Sequence, residues 1–89
     1  MRAIVTVTGK DKTGIIAGVS AALSAYGVNI LDISQTVLQE YFAMIMLVDL
    51  TGCAASFPEL GDALAEAAGK LCMDIRIMRE EIFDAMHRI

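Results

Sequence analysis

The feature that most constrains the fold is a division of the chain into two halves of nearly equal length, each patterned as strand, helix, strand. Met1–Gln39 and Glu40–Arg79 are these halves, and ten residues follow them. Stretches with a period of two are typical of strands, and stretches with apolar residues three to four positions apart are typical of helices. The two periods alternate along the chain in a way that predicts the order βαββαβ, followed by a short final segment.

The most apolar stretch is the predicted third strand, Phe42–Leu50. Both of its faces are apolar, one carrying Met44 and Met46, the other Ile45 and Leu47. A strand of this kind is typical of the centre of a sheet, or of a sheet that is covered on both sides. The pattern does not indicate which face points to the helices, but it predicts that something covers the other face.

The predicted elements fit one domain. The strands are expected at about 2–8, 28–39, 42–50 and 72–79, and the helices at 14–26, 56–71 and 80–89. Right-handed crossovers place the two long helices on one face of a four-stranded antiparallel sheet. The expected fold is therefore α+β, a ferredoxin-like βαββαβ sandwich plus a short C-terminal helix. We expect a single domain over residues 1–89, with the core in 1–79 and the tail helix in 80–89.

Local signals refine these elements. Ser56 and Glu59 have the spacing of a capping box, and Pro58 suits a first helical turn. The first helix could be capped by either Thr13 or Asp11. The apolar positions of the second strand change parity at Ile30, which a β-bulge or a change of twist would explain.

Two further segments carry weaker signals. The link from Gln39 to Tyr41 contains no glycine, so a two-residue primed turn is not strongly signalled there. The tail helix would end near Arg88. Its apolar face would consist of Ile82, Phe83, Met86 and Ile89.

Composition excludes several classes of partner. The net charge of −4 argues against nucleic acid and against anionic membranes. No apolar run approaches the ~20 residues of a membrane span. The chain starts directly with a strand pattern, so we expect no signal peptide and a cytoplasmic location. The hydrophobic content of 56% is high for one small globule, and it favours burial against a second copy of the chain.

The chain also lacks recognisable catalytic and cofactor signatures. Cys53, Cys72 and the single histidine, His87, are too scattered to indicate a metal site, so neither a metal nor a cofactor is expected. Gly9 and Gly14 have P-loop spacing, but isoleucines follow where a P-loop requires Lys and Ser or Thr. The first loop has no arginine for an acyl phosphate. We therefore expect no enzyme.

The first turn, Thr8–Ile16, is the best candidate for a binding site. It joins a strand to a helix, and its two glycines bracket three charged residues and a threonine. A helix start leaves backbone N–H groups without partners and carries the positive end of the helix dipole. Such a place suits a carboxylate or a phosphate.

The same turn resembles the opening of an ACT domain, which has a strand, then G-x-D-[KR]-x-G-[IL], then a helix. Gly27–Ile33 is similar to that family's helix-end glycine followed by an Asn-Ile pair, and the resemblance covers residues 1–79. The end of the chain, from Ile82, is similar to the tail of small stand-alone ACT proteins of uncharacterised function. This kind of ACT domain also resembles the ACT domains of the glycine-cleavage-system transcriptional repressor.

The resemblance implies a regulatory, non-catalytic module that binds an amino acid at the interface of a homodimer and acts through a partner protein. Gly14 would let the ligand approach the backbone, Asp11 would pair with its ammonium group or cap the helix, and Asn29 would offer a donor and an acceptor. Carried over by position, the ligand-binding residues are Asp11, Thr13, Gly14, Ile15, Asn29 and Ile30. The alternative is an interaction adaptor or dimerisation module with no small ligand.

Overall fold

The computed structural model describes residues 1–86 of the chain. Its elements are β1 (Arg2–Lys10), α1 (Ile15–Ser24), β2 (Asn29–Leu38), β3 (Tyr41–Asp49), α2 (Phe57–Leu71), β4 (Asp74–Arg79) and α3 (Glu80–Met86). The order βαββαβ with a C-terminal helix confirms the predicted fold class. His87, Arg88 and Ile89 lie outside the described residues, and with them the predicted end of the tail helix and part of its apolar face.

The four strands form one antiparallel sheet in the order β2-β3-β1-β4. The central strands β1 and β3 are paired along their whole length, from Arg2 with Asp49 to Lys10 with Tyr41. Because β1 and β2 both run antiparallel to β3, they are parallel to each other. The turn after β1 therefore lies at the same end of the sheet as the end of β2.

One face of the sheet packs on α1 and α2 and forms the core. The structure resolves the orientation of β3, since Met44 and Met46 are buried on this face and Ile45 is exposed on the other. The buried cluster takes alternate residues of β1 and β3 together with the inner sides of both helices: Ala3, Val5, Val7, Ile15, Val19, Leu23, Phe42, Met44, Met46, Val48, Leu60 and Leu64. Burial of this apolar surface is the main force that holds the helices on the sheet.

The two long helices begin differently. Helix α2 has the predicted capping box, in which the backbone N–H of Glu59 donates to Oγ of Ser56 and the N–H of Ser56 donates to Oε1 of Glu59. In α1, by contrast, the N-cap is Gly14 in the left-handed conformation, with no hydrogen bond from a capping side chain. The expectation that Thr13 or Asp11 caps this helix is wrong, because the chain enters α1 through a backbone conformation that only glycine adopts easily.

Strand β2 contains the predicted bulge and ends in an unpredicted turn. Its pairing with β3 shifts register between Ile30 and Asp32. Leu38 then pairs with Tyr41, so the hairpin turn does consist of two residues. The turn forms without a glycine because Gln39 itself adopts the left-handed conformation, with φ 54°.

Helix α3 lies against β1 and β4 at the end of the sheet remote from the first turn. Arg2 donates from Nε to Oε1 of Glu80 over 3.0 Å, and from Nη2 to the other carboxylate oxygen. The hydrogen bonds and charge of Glu80 raise the pKa of Arg2 above its ordinary value. Ile4, which alternation places on the helix-free face, is only 9% exposed, so this end of that face is covered within the chain.

Two further findings concern residues 1–86 alone. None of their helices is long and apolar enough to cross a membrane. No group of three or more His, Cys, Asp or Glu side chains among them is arranged to hold a metal ion.

Candidate functional site

A pocket of about 320 Å³ lies beside the first turn. Its walls come from four parts of the fold. The turn contributes Asp11, Lys12 and Gly14, and the remaining lining residues come from the first turn of α1, from β2 and from β3: Ile15, Ile16, Ala17, Gln35, Val37 and Phe42. The pocket is therefore the space between the start of α1 and the last residues of β2.

The turn is fixed by its backbone. The N–H of Asp11 donates to the carbonyl oxygen of Glu40 over 2.7 Å, which ties the β1–α1 turn to the β2–β3 turn. Gly14 follows with φ 90°, and a Cβ built on it would meet no atom within 4 Å. Close packing is thus not the reason for a glycine at this position. The reason is the left-handed backbone, which also leaves open space above the main chain.

The start of α1 can accept an anion. No side chain caps this helix, so the N–H groups of Ile15, Ile16 and Ala17 have no capping acceptor at the positive end of the helix dipole. The first intrahelical hydrogen bond is made by the N–H of Gly18 to the carbonyl oxygen of Gly14, over 2.9 Å. Asp11 and Lys12 are exposed on the same turn, so one negative and one positive side chain flank the open helix start.

Three of the six predicted ligand-binding residues line this pocket. They are Asp11, Gly14 and Ile15. Ile15 is 2% exposed as a whole residue and belongs to the core, so its side chain is not available to a ligand. Thr13 is exposed in the same turn but does not line the pocket.

Asn29 and Ile30 lie at the other end of the sheet. Asn29 pairs with Asp49, which pairs with Arg2, whereas the pocket residue Val37 pairs with Phe42. At about 3.3 Å per residue, the length of β2 separates the two places by more than about 20 Å. Within one chain the structure therefore does not bring Asn29 and Ile30 to the turn.

Several lining residues were missed by the sequence interpretation. Gln35 is one for which a signal exists, because it is a polar residue between the apolar Ile33 and Val37 on one face of β2. Lys12 also has a signal, because it is a charged residue within the turn motif G-x-D-[KR]-x-G. No local pattern distinguishes Ile16, Ala17, Val37 and Phe42 from ordinary core residues, since their meeting depends on how β2 pairs with β3.

The outer edge of β2 is unpaired in the described structure and rich in apolar side chains. All of its residues but Ile30 are exposed. Four of the exposed side chains are large and apolar: Leu31, Ile33, Val37 and Leu38. A long, exposed, apolar edge strand is a template for pairing with another chain.

Comparison with known proteins gives a consistent result. Residues 2–78 match the ACT domain family. A UPF0237 protein of Clostridium acetobutylicum is 54% identical over 89 residues, covering all of both chains. An ACT domain protein from Streptococcus pneumoniae superimposes with a TM-score of 0.82 at 45% identity, over 98% of each chain.

A more distant solved structure shares the fold. It is a protein assigned as a glycine cleavage system transcriptional repressor, with a TM-score of 0.72 at 18% identity. The match covers 86% of this chain and 44% of that one. The predicted resemblance to the ACT domains of this repressor is thus confirmed at the level of the fold.

Proposed function

Because this chain belongs to the ACT domain family, whose members are regulatory ligand-binding modules, we propose that it binds an amino acid at the interface of a homodimer and regulates a partner protein. The proposed ligand-binding residues are Asp11, Thr13, Gly14, Ile15, Asn29 and Ile30. The observation that carries the proposal is the uncapped start of α1, which opens into a pocket beside an acidic side chain.

The turn matches the charges of an amino acid. The α-carboxylate accepts hydrogen bonds from the free N–H groups of α1, where the helix dipole favours negative charge. The ammonium group pairs with the carboxylate of Asp11, which lines the same pocket. Gly14 offers no side chain that would keep the ligand from the backbone, and Thr13 borders this half of the site on the adjoining turn position.

A two-fold symmetric dimer completes the site. If two copies pair through their β2 edges in antiparallel fashion, the start of the partner's β2 lies beside the end of this one. The partner's Asn29 and Ile30 then adjoin the pocket formed by Asp11, Gly14 and Val37. Pairing of this kind also covers the exposed apolar side chains of β2, which supports a second copy as the occupant.

Regulation follows from a site that two chains share. A ligand that contacts both copies stabilises the dimer relative to the separated chains, by the ordinary linkage between binding and association. A partner protein that recognises the dimer, or the ligand-bound form of it, then responds to the ligand concentration.

Thermal denaturation in the presence of each of the twenty amino acids tests the proposal. At least one of them should raise the melting temperature, because it binds the folded dimer and not the unfolded chain. The absence of a response to every amino acid would contradict the proposal.

A mixing experiment tests whether the site is shared. Asp11→Ala and Asn29→Ala, each tested alone, should abolish the rise in melting temperature that the amino acid causes. After the two variants are mixed and allowed to exchange subunits, each heterodimer contains one intact site, so the response should return in part. A mixture whose melting temperature does not rise with the amino acid would show that Asp11 and Asn29 do not act across the interface.

The helix-free face of the sheet favours a second candidate function, that of an interaction adaptor. Leu38, Tyr41 and Ile45 are exposed there, and a cavity of about 350 Å³ lies beside Leu38 and Tyr41. A protein bound to this face should be lost in Ile45→Asp and kept in Gly14→Leu. Loss in both variants would instead point to the ligand site or to the fold.

A further inference from the structure

We infer that the pocket selects an amino acid with a neutral, aliphatic side chain. This inference rests on the proposed function and specifies the class of its ligand. It is drawn from the distribution of charged and apolar groups around the pocket.

The charged groups of the pocket lie at one end of it. Asp11 and Lys12 are on the turn, next to Gly14 and the free N–H groups of α1. These groups match the two charges that every amino acid carries on its backbone, so the ligand backbone belongs at the turn. Its side chain must then extend away from the turn, between α1 and β2.

The space between α1 and β2 is lined mainly by apolar groups. Ile16 and Ala17 border it from the helix, and Val37 and Phe42 border it from the sheet. Ile16 and Val37 are 39% and 51% exposed, so a ligand that covers them removes apolar surface from water. Each methylene group buried there should tighten binding by about fourfold.

The same space offers no opposite charge to a charged side chain. Among the lining residues that the structure describes, Gln35 is the one polar group beyond the turn, and it carries no charge. A carboxylate or ammonium placed between Ile16 and Val37 would lose water without gaining an opposite charge. A hydroxyl group there would lose water, and the amide of Gln35 is the one polar partner that the lining residues of this chain offer beyond the turn.

Isosteric ligand pairs give the sharpest test. Valine and threonine have nearly the same shape, and calorimetric titration of the dimer should show that valine binds several-fold more tightly. Along the series glycine, alanine, 2-aminobutyrate and valine the affinity should rise at each step. Aspartate and lysine should bind more weakly than alanine.

The variant Val37→Thr tests whether Val37 contributes to the preference for valine. Val37→Thr removes one methyl group from the pocket wall and should weaken valine binding by about fourfold. It should weaken threonine binding less. Ile45→Thr is the matched control, because Ile45 is also a β-branched strand residue, is 48% exposed and lies on the opposite face of the sheet. Its valine affinity should equal that of the wild type.

The outcomes separate this inference from the proposed function. Tighter binding of threonine, aspartate or lysine than of valine would overturn the inference and leave amino-acid binding intact. No binding of any amino acid would overturn both. Equal losses in Val37→Thr and Ile45→Thr, or no loss in Val37→Thr, would overturn the assignment of the side-chain subsite.

Discussion

The backbone N–H of Asp11 donates to the carbonyl oxygen of Glu40 over 2.7 Å, which joins the turn before α1 to the turn between β2 and β3. These two turns form the end of the sheet at which the candidate pocket lies. A ligand held at the first turn is therefore coupled through one hydrogen bond to the end of β2, the strand that we expect to pair with a second copy. The pocket and the proposed dimer interface share this strand.

Gly14→Ala tests the backbone requirement at the start of α1. The new methyl group has open space, but φ 90° is unfavourable for alanine, so the free energy of unfolding should fall by about 1–2 kcal/mol. Gly61→Ala is the matched control, since this helical glycine also has no neighbour within 4 Å and its φ is not positive. It should stabilise the protein by about 0.5–1 kcal/mol. Urea denaturation measures both changes in the free energy of unfolding. Changes of the same sign in the two variants would contradict the backbone requirement at Gly14.

Ile33→Lys tests the proposed β2 interface. In a two-fold pairing, residues near the middle of β2 lie close to their own copies, so lysine there places like charges together. The fold should survive because Ile33 is 40% exposed. Sedimentation should give twice the 9.5 kDa chain mass for the wild type and a monomer for the variant.

Ile82→Lys is the control for this interface. Ile82 is a similarly exposed residue on α3, remote from β2, and its replacement should leave the dimer intact. A dimeric Ile33→Lys protein would contradict pairing through β2.

Ser56→Ala removes the side-chain cap of α2. The N–H of Glu59 then loses its acceptor, and the free energy of unfolding should fall by about 1 kcal/mol, as thermal or urea denaturation can measure. The response to amino acids should not change, because α2 does not line the pocket. Ser24→Ala, at the exposed end of α1, should be neutral or slightly stabilising, since alanine is the better helix former.

Asp49 gives a prediction for pH. Its Oδ1 accepts hydrogen bonds from the hydroxyl and the backbone N–H of Thr51, over 2.6 and 2.9 Å, and these lower the pKa of the carboxyl group. A lowered folded-state pKa contributes stability above the unfolded-state pKa, and this contribution is lost as the pH falls through the folded value.

Thr51→Val should raise the Asp49 pKa part of the way to its usual value, because the hydroxyl is lost and the backbone donor remains. Thr51→Ser, which keeps both donors, should leave the pKa low. NMR titration of the Asp49 carboxyl carbon measures these values, and an unchanged pKa in Thr51→Val would assign the whole effect to the backbone.

Most of the fold could be predicted because its signals are local. Periodicity located the strands and helices, the Ser56–Glu59 spacing predicted a real capping box, and the change of parity at Ile30 predicted a real bulge. The cap of α1 was predicted wrongly, and the β2–β3 turn had only a weak signal, for one shared reason. Both depend on a left-handed residue, and at Gln39 no glycine marks it.

The candidate site could be predicted only in part. The turn motif located Asp11, Gly14 and Ile15, which are close together in sequence. The other wall of the pocket comes from β2 and β3, and its residues meet the turn through strand pairing over a long separation in sequence. Which face of β3 packs on the helices could not be predicted either, because both of its faces are apolar.

The bulge at Leu31 gives β2 two phases. Before it, the even-numbered Ile30 shares the helix-facing side of the sheet with Val48, and after it the odd-numbered Ile33 does so with Met46. One inserted residue therefore changes the side of the sheet that the following side chains face. The residues that line the pocket and the residues that we expect to contact the neighbouring copy lie on opposite sides of the bulge along β2. The side that each group faces is therefore set separately.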